Sequence, residues 1–214
     1  MNNIQSLHLH YFPFPGRAAP IRDTLNIGKV AFEDSFIPPN EFGERRSAGE
    51  FPFGGLPVMD VITTSGKITS AQSNAILRFA GRLANLYPVD DILLALKIDE
   101  ALDLGEDINY LLDPSLHESD EQKKIAMRKI LAEQTLPEWA TYLEHLLIKN
   151  GSTGFIVGKT LTVADLKLYW IFEWFTSGML DGIPTDLFDS YTSISNWRKN
   201  IAHIRQLYLE NTNS

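Results

Sequence analysis

The chain contains no cysteine, which excludes disulfide bonds, thiolate metal sites and a cysteine nucleophile. Basic residues are also in short supply, since 27 acidic side chains outnumber 19 basic ones and the formal net charge is −8. Nucleic acids and anionic membrane surfaces attract basic patches, so this charge argues against both as partners. No apolar run approaches the length of a bilayer span, and the first ten residues, MNNIQSLHLH, lack the charged start and apolar core of a signal peptide. We therefore expect a soluble, cytoplasmic protein.

The first part of the chain alternates short strand signals with helical ones. Predicted strands cover residues 5–10, 29–37, 57–61 and 67–70, and predicted helices cover residues 18–28 and 72–86. The polar stretch 38–51 contains prolines and glycines and is expected to be an irregular loop. This order fits a compact α/β unit whose first two strands are joined through a crossover helix.

The pattern changes near residues 84–89, after which strand signals nearly vanish and amphipathic helical segments dominate. A boundary at this place gives two expected domains, residues 1–84 and residues 89–214. No internal repeat or low-complexity run interrupts either part. The second domain is therefore expected to be all-helical.

One helix start in the second domain is marked by its sequence. Thr162 and Asp165 of TLTVADLKLYW have the spacing of a capping box, in which each side chain binds the other residue's backbone N–H. The residues that follow are apolar on nearly every side of a helix, which predicts a buried central helix.

The stretch EFPFGGLPVMDV places Pro57 at the start of an otherwise apolar strand. Proline has no N–H to donate to a sheet, and its ring restricts Leu56 to extended geometry. A proline in such a place is usually an edge residue, part of a bulge or a cis turn. The residues alone leave these three alternatives open.

Four local motifs occur in an order and spacing that resemble one protein family: LHYFPFPGRAAPIR, FPFGGLPVMDV, TSAQSNAILRFAGR and LTVADLKLY. The family is the cytosolic glutathione transferases, and the resemblance extends over essentially the whole chain. The first motif is most similar to the sigma class, which includes the haematopoietic type of prostaglandin D synthase. The resemblance implies an α/β thioredoxin-like N-terminal domain followed by an all-α C-terminal domain, which is the glutathione transferase fold.

The resemblance implies that Tyr11 and Arg17 are the catalytic residues. Tyr11 matches the tyrosine whose hydroxyl donates to the glutathione thiolate and so lowers the pKa of the thiol. Arg17 matches an arginine close to that tyrosine, where a guanidinium lowers the pKa of the tyrosine itself. The alternatives are that Tyr11 is a strand-end tyrosine packed in an interface and that Arg17 is a structural arginine in a salt bridge.

The resemblance also implies a set of glutathione-binding residues: Tyr11, Phe42, Arg46, Gly55, Leu56, Pro57, Gln72, Ser73 and Asp107. Pro57 matches a cis-proline, after which the backbone of Leu56 pairs with the cysteinyl part of glutathione as an added strand would. Gln72 and Ser73 match a helix start that holds the γ-glutamyl carboxylate. Ser73 also fits the pattern of a simple N-cap.

Phe42 and Arg46 lie in the long loop, where sigma enzymes carry a tryptophan and a lysine. Arg46 is the candidate for binding the glycyl carboxylate of glutathione, and Arg45 is the alternative. Phe42 lacks the indole N–H that would reach this carboxylate. Gly55 replaces a lysine that is common in sigma members.

Asp107 belongs to an acidic run at three- and four-residue spacing, with Asp99, Asp103 and Glu106. Such a run is usually a solvated helix face. The resemblance implies instead that the protein is a homodimer in which Asp107 reaches the glutathione amino group across the interface. It also implies that Asp103 and Glu106 line the dimer axis, where some vertebrate members bind a divalent cation. We expect no metal ligand among the site residues, and a cation at the interface is the alternative.

The function implied by the resemblance is glutathione transfer in detoxification. The glutathione thiolate attacks an electrophilic carbon of a small hydrophobic substrate bound between the domains. The apolar wall candidates, each of which also fits a core position, are Phe14, Tyr110, Pro114, Leu207 and Tyr208. The alternatives are a glutathione-dependent prostaglandin D-type isomerase and a non-catalytic, crystallin-like or ligand-binding relative. The lack of cysteine excludes a relative in which a protein cysteine forms a mixed disulfide with glutathione.

Overall fold

The computed structural model describes residues 3–210, with side chains described as far as Tyr208. The chain forms two compact units, one that comprises residues 3–88 together with residues 208–210 and one that covers Val89–Leu207. Residues 1, 2 and 211–214 of the expected domains lie outside the described residues. Among residues 3–210, no helix combines the length and the apolar character that crossing a membrane requires.

The first unit is a four-stranded sheet with flanking helices. Its elements in chain order are β1 (Ile4–Tyr11), α1 (Ala19–Ile27), β2 (Glu33–Phe36), α2 (Pro39–Ser47), β3 (Val58–Thr63), β4 (Gly66–Ala71) and α3 (Ser73–Leu83). The strands lie in the order β2-β1-β3-β4, with β1 parallel to β2 and the other two neighbouring pairs antiparallel. This mixed sheet with its βαβ start confirms the thioredoxin-like fold that the resemblance implies.

The segment 39–47 is a helix, so the prediction of an irregular loop over 38–51 is wrong for these residues. None of the residues of α2 is buried, and a helix without an apolar stripe gives no periodic signal. Pro39 is compatible with the helix because its missing N–H falls in the first turn, where that group has no intrahelical partner. β2 is shorter than predicted, since the strand covers only Glu33–Phe36.

The residues of β1 alternate between two environments, as in a half-buried strand. Leu7, Leu9 and Tyr11 are buried, whereas His8 and His10 lie on the opposite face and are more exposed. The alternation therefore directs Tyr11, the last residue of the strand, to the apolar side of the sheet.

The second unit is helical within its described residues. Its helices are α4 (Ile92–His117), α5 (Glu121–Ile130), α6 (Leu136–Lys149), α7 (Val163–Phe175) and α8 (Thr192–Glu210). A π-helical turn, Leu131–Thr135, joins α5 to α6. Ten of the residues of α7 are buried, which confirms the prediction of a buried helix at the centre of an all-α unit.

The capping box predicted at the start of α7 is present. The buried carboxylate of Asp165 accepts hydrogen bonds from the N–H of Ile156 at 2.7 Å and from the N–H of Thr162 at 2.9 Å. It also accepts a hydrogen bond of 3.0 Å from the indole Nε1 of Trp197 in α8. Burial raises the pKa of Asp165 to about 6, against the hydrogen bonds that favour the charged form. One carboxyl group therefore ties the start of α7 both to the preceding segment and to α8.

Asp165→Ala is expected to lower the free energy of unfolding by about 3–5 kcal/mol, because it leaves several buried donors without an acceptor. Asp120, the exposed N-cap of α5, also accepts from two backbone N–H groups and is the matched control. Asp120→Ala should cost only about 1 kcal/mol. Urea unfolding at one protein concentration measures both losses, and equal losses would contradict the role given to the buried carboxyl group.

Candidate active site

Tyr11 lies at the end of β1 with only 5% of its surface exposed. Its hydroxyl oxygen accepts a hydrogen bond of 3.0 Å from the backbone N–H of Arg17. The loop of residues 12–15 therefore folds back over the end of the strand, and the short 3-10 helix Gly16–Ala18 that follows it brings a main-chain donor to the phenol. A phenol has one proton and can also accept, so this hydrogen bond leaves the proton available to another group.

The surroundings of Tyr11 keep the phenol neutral near neutral pH. Burial raises the pKa of Tyr11, and it outweighs the hydrogen bond from Arg17 and the charges of Arg17 and Arg22, which act in the opposite direction. Arg17 lowers the pKa of Tyr11, as the resemblance implies, but burial keeps this pKa above that of free tyrosine. A neutral phenol beside cations is suited to donate a hydrogen bond to an anion.

Gly16 permits the close approach of the loop to the phenol. Its φ of +44° lies in the left-handed region that favours glycine. A Cβ at this position would clash with the Tyr11 hydroxyl oxygen, so any side chain displaces either the phenol or the loop. Gly16 was not among the residues predicted for the site, so this contact with Tyr11 was missed.

The register of β1, β3 and β4 brings the other candidate segments to the same end of the sheet as Tyr11. His10 pairs with Val58, the first residue of β3, and Val58 pairs with Ala71, the last residue of β4. The segment that precedes β3 and the first turn of α3, which follows β4, therefore lie beside the end of β1.

The peptide bond between Leu56 and Pro57 is cis, as the resemblance implies. Within residues 3–210, the N–H and C=O of Leu56 have no backbone hydrogen-bond partner, because the pairing of β3 begins at Val58. The Leu56 side chain packs against a small apolar cluster that includes Phe51 and Val58. An extended peptide can add to the unpaired backbone of Leu56 as an extra strand.

The start of α3 differs by one residue from the N-cap interpretation. Ser73 is buried and is the first helical residue, and Gln72 takes the N-cap position, so the reading of Ser73 as N-cap is wrong. Gln72 has a φ of +74°, which is uncommon for a residue other than glycine, and its side chain makes no capping hydrogen bond. Because the first N–H groups of a helix have no intrahelical acceptor, this turn offers main-chain donors beside the Gln72 side chain.

The two arginines of α2 differ in their contacts. Arg45 donates through Nε to the carboxylate of Glu50 at 2.7 Å. Arg46 is exposed, and its Nε lies 3.2 Å from the point where a Cβ on Gly54 would be. Arg46 therefore lies against the loop that leads to Leu56. This geometry favours Arg46 over Arg45 as the cation that is available to a ligand.

Phe42 and Gly55 contribute no polar side-chain group to the site. The Phe42 ring packs edge-on against Phe12, with ring centroids 5.2 Å apart, and stacks on Phe51 at 5.5 Å. Phe42 thus supports the neighbouring loops by packing and supplies no donor for a carboxylate. A Cβ on Gly55 would meet no atom within 4 Å, so no contact in the structure explains the glycine.

The acidic run of α4 does not form one surface. Glu106 forms an ion pair of 2.9 Å with Lys167 of α7, whose side chain is 3% exposed. Glu106 therefore has an ion-pair partner within its own unit. Asp103 and Asp107 are exposed. Within residues 3–210, no group of three or more histidine or carboxylate side chains has an arrangement that could hold a metal ion.

The apolar wall candidates are all exposed, which corrects the alternative that they are core residues: Phe14, Tyr110, Pro114, Leu207 and Tyr208. Phe14 stacks on Phe12 with centroids 5.1 Å apart and meets the edge of the Tyr11 ring at 5.8 Å. An exposed aromatic surface therefore lies next to the candidate phenol.

Arg22 is the main residue that sequence reasoning missed. It lies in α1 and donates both to Asp34 of β2 and to carbonyl groups of the loop that follows Tyr11. Its carboxylate partner lies in a different element, so no helical or strand spacing signals the pair.

Comparison with known proteins identifies the family. Residues 106–210 match the family model described as "Glutathione S-transferase, C-terminal domain". Human glutathione S-transferase P is 32% identical over 178 residues, which cover 81% of this chain and 80% of that protein. The structure of prostaglandin synthase D of Nilaparvata lugens matches with a TM-score of 0.82 and 26% identity, covering 96% of this chain and 98% of that one. The Fasciola hepatica sigma class enzyme shares the fold, with a TM-score of 0.74, 23% identity and coverage of 97% and 96%. The chain therefore belongs to the glutathione S-transferase family and has a sigma-like fold.

Proposed function

We propose that this protein is a glutathione transferase in which Tyr11 stabilises the thiolate of bound glutathione. The observation that supports this most directly is the buried phenol, which accepts from the Arg17 N–H at 3.0 Å and keeps its own proton for donation. The thiol proton passes to solvent when glutathione ionises. The thiolate then attacks an electrophilic carbon of a small hydrophobic substrate, so that a sulfur–carbon bond forms and the leaving group departs with its bonding electrons.

The energy required of the phenol is modest. A free thiol titrates near pH ~8.5, and lowering its pKa by about two units requires about 2.7 kcal/mol of preference for the charged form. One hydrogen bond to a charged acceptor contributes about 1.5–3 kcal/mol. The charges of Arg17 and Arg22 act on Tyr11 in the direction that makes the phenol a better donor.

In this proposal glutathione lies along the end of the sheet. Its cysteinyl backbone pairs with the N–H and C=O of Leu56, as an added strand would. Its γ-glutamyl carboxylate binds at the first turn of α3, where Gln72 and Ser73 lie beside the main-chain donors. Arg46 binds the glycyl carboxylate through a charge-assisted hydrogen bond.

We further propose that the enzyme is a cytoplasmic homodimer. Asp107 is exposed on α4, where its carboxylate is suited to bind the amino group of glutathione held by a second subunit. Large apolar side chains at and just before the start of α4 are exposed as well: Val89, Ile92, Leu93 and Leu96. Exposed apolar residues grouped in this way are typical of protein–protein interfaces.

A glutathione-dependent isomerase is the second candidate, and the match to the prostaglandin synthase D structure at 26% identity favours it. The same phenol and thiolate would serve, with glutathione regenerated at the end of each turnover. Conversion of a prostaglandin endoperoxide without net loss of glutathione would identify the isomerase. A non-catalytic relative would bind glutathione and turn over neither substrate.

Tyr11→Phe is expected to lower kcat for conjugation of chlorodinitrobenzene about 100-fold at pH values below the thiol pKa of the wild type, where two pKa units correspond to a hundredfold change in thiolate. The KM for glutathione should change little, because the ring is kept and only the hydroxyl is lost. Titration of the ultraviolet absorbance of the bound thiolate should show a thiol pKa close to that of free glutathione. Unchanged turnover would assign the role to another group.

A second variant tests the same hydroxyl without removing it. Gly16→Ala should lower kcat and raise the thiol pKa, as Tyr11→Phe does, because its methyl group would clash with the phenol oxygen. Gly151 is the matched control, since its φ of +77° is also left-handed but no atom lies within 4 Å of its Cβ position. Gly151→Ala should leave the thiol pKa unchanged.

Arg46→Ala is expected to raise the KM for glutathione about tenfold, because it removes a charge-assisted hydrogen bond worth about 1.5–3 kcal/mol. The kcat should stay close to that of the wild type. Arg45→Ala, which breaks the ion pair with Glu50, is the matched control and should change the KM little. Steady-state kinetics with varied glutathione measure both, and the reverse result would assign the carboxylate to Arg45.

Asp107→Asn is expected to raise the KM for glutathione about tenfold while the protein stays dimeric, because the amino group loses its charged partner. Asp103→Asn, one turn earlier on α4 and also exposed, is the matched control. Kinetics and analytical ultracentrifugation on the same samples separate loss of the contact from loss of the dimer. A dimeric Asp107→Asn with wild-type KM would exclude the contact between subunits.

A further inference from the structure

Arg22 of α1 contacts the loop after Tyr11 through its guanidinium group. Nη1 donates to the carbonyl oxygen of Phe14 at 3.0 Å and, at a longer 3.4 Å, to that of Pro15. Nη2 donates to the carbonyl oxygen of Phe12 at 3.3 Å. One cation therefore binds three backbone carbonyl groups of a single loop.

Asp34 of β2 holds the other side of the guanidinium. Arg22 donates through Nε to Oδ2 of Asp34 at 2.7 Å and through Nη2 to Oδ1 at 3.2 Å. The two side chains are only 16% and 24% exposed, and a two-point arginine–carboxylate pair has a fixed orientation. Asp34 pairs in the sheet with Leu9 of β1, so the carboxylate that holds Arg22 belongs to the strand next to the one that carries Tyr11.

The composition of the loop explains why it needs a donor from outside. Pro13 and Pro15 have no N–H, so the loop is poor in donors for its own carbonyl groups. Arg22 supplies donors to these carbonyl groups. The loop leads directly to Gly16 and to Arg17, whose N–H reaches the Tyr11 oxygen at 3.0 Å.

Arg22 has no donor left for a ligand. A guanidinium carries five N–H groups, and Asp34 together with the three loop carbonyl groups accounts for five contacts. Arg22 can therefore influence the reaction only indirectly, through the loop that it holds and through its charge beside Tyr11.

We propose, on the basis of the proposed function, that Arg22 is a positioning residue for the ionisation of glutathione and that Asp34 orients it. Arg22 holds the loop in the place where the Arg17 N–H binds the phenol oxygen. The phenol proton is then directed to the thiolate instead of to the loop. Asp34 acts only through Arg22.

Electrostatics support the same role. The Arg22 guanidinium carbon lies 5.7 Å from the centre of the Tyr11 ring and 5.4 Å from that of Phe36. Its charge, like that of Arg17, opposes the effect of burial on the pKa of Tyr11. Loss of Arg22 therefore weakens the phenol as a donor both through position and through charge.

The test is the pH dependence of the reaction in Arg22→Gln. The pKa of the bound glutathione thiol should rise by about one unit, so kcat/KM falls about tenfold at pH values below that pKa. The loss should shrink at high pH, where the thiol ionises without help, and the KM for glutathione should change little. Thiolate absorbance and the pH profile of chlorodinitrobenzene conjugation measure these effects. A loss of equal size at every pH would indicate a purely structural residue and overturn the proposal.

Two further variants separate geometry from charge. Arg22→Lys keeps the positive charge but loses the planar guanidinium and its five N–H donors. The thiol pKa should therefore not return to the wild-type value, and a full return would overturn the positioning role. Asp34→Asn should raise the thiol pKa, as Arg22→Gln does. The double variant should lose no more than Arg22→Gln alone, whereas additive losses would contradict an action of Asp34 through Arg22.

Arg198 of α8 provides a matched control pair. It donates to Glu173 at 2.9 Å, and its guanidinium carbon lies 5.7 Å from the centre of the Phe172 ring. Arg198→Gln should lower the stability measured by urea unfolding but leave the thiol pKa unchanged. A shift of the thiol pKa as large as that in Arg22→Gln would show that the effect is not specific and reject the proposal.

The wild-type protein distinguishes this inference from the proposed function. If the wild type with glutathione shows neither thiolate absorbance nor turnover, the proposed function is wrong. If the wild type shows both and Arg22→Gln has the same thiol pKa and pH profile, only the positioning role of Arg22 is wrong.

Discussion

The hydrogen bond from the Arg17 N–H to the Tyr11 oxygen determines what the surrounding first unit must provide. A main-chain donor has no side-chain torsions of its own, so its direction is set by the path of the loop. That path must bring the backbone against the phenol, which only a residue without a Cβ allows at position 16. It must also be held in place, although two prolines leave the loop short of donors. Arg22 and Asp34 meet that second requirement, and they do so from α1 and β2.

The pKa of Tyr11 reflects a balance that suits a donor. A phenol that ionised near neutral pH would carry a negative charge and repel a thiolate, whereas a phenol remote from any cation would be a weaker donor. Burial keeps the proton on the oxygen, and the charges of Arg17 and Arg22 strengthen its donation. Arg17 and burial therefore have opposite effects on the same pKa, and both effects are useful in the proposed function.

Local patterns predicted the parts of the fold that depend on nearby residues. The period of two in β1 directs Tyr11 to the apolar face, and the spacing of Thr162 and Asp165 identifies the start of α7. The features that were missed depend on distant or non-periodic information. α2 has no buried residue and so no apolar period. Glu106 shares its helical spacing with exposed carboxylates, and its ion pair with Lys167 on another helix has no signal in that spacing.

The absence of cysteine adds a final constraint on the site. Because this chain has no thiol of its own, the sulfur nucleophile of the proposed reaction must come from the ligand, and the protein supplies orientation and electrostatics. Many of the groups suited to that task belong to the main chain, namely the Arg17 N–H, the unpaired backbone of Leu56 and the first turn of α3. Main-chain groups are kept when side chains change, provided that the backbone path is kept. In the proposed function, main-chain groups held in place by a fixed loop therefore account for a site that carries phenylalanine at position 42 and glycine at position 55.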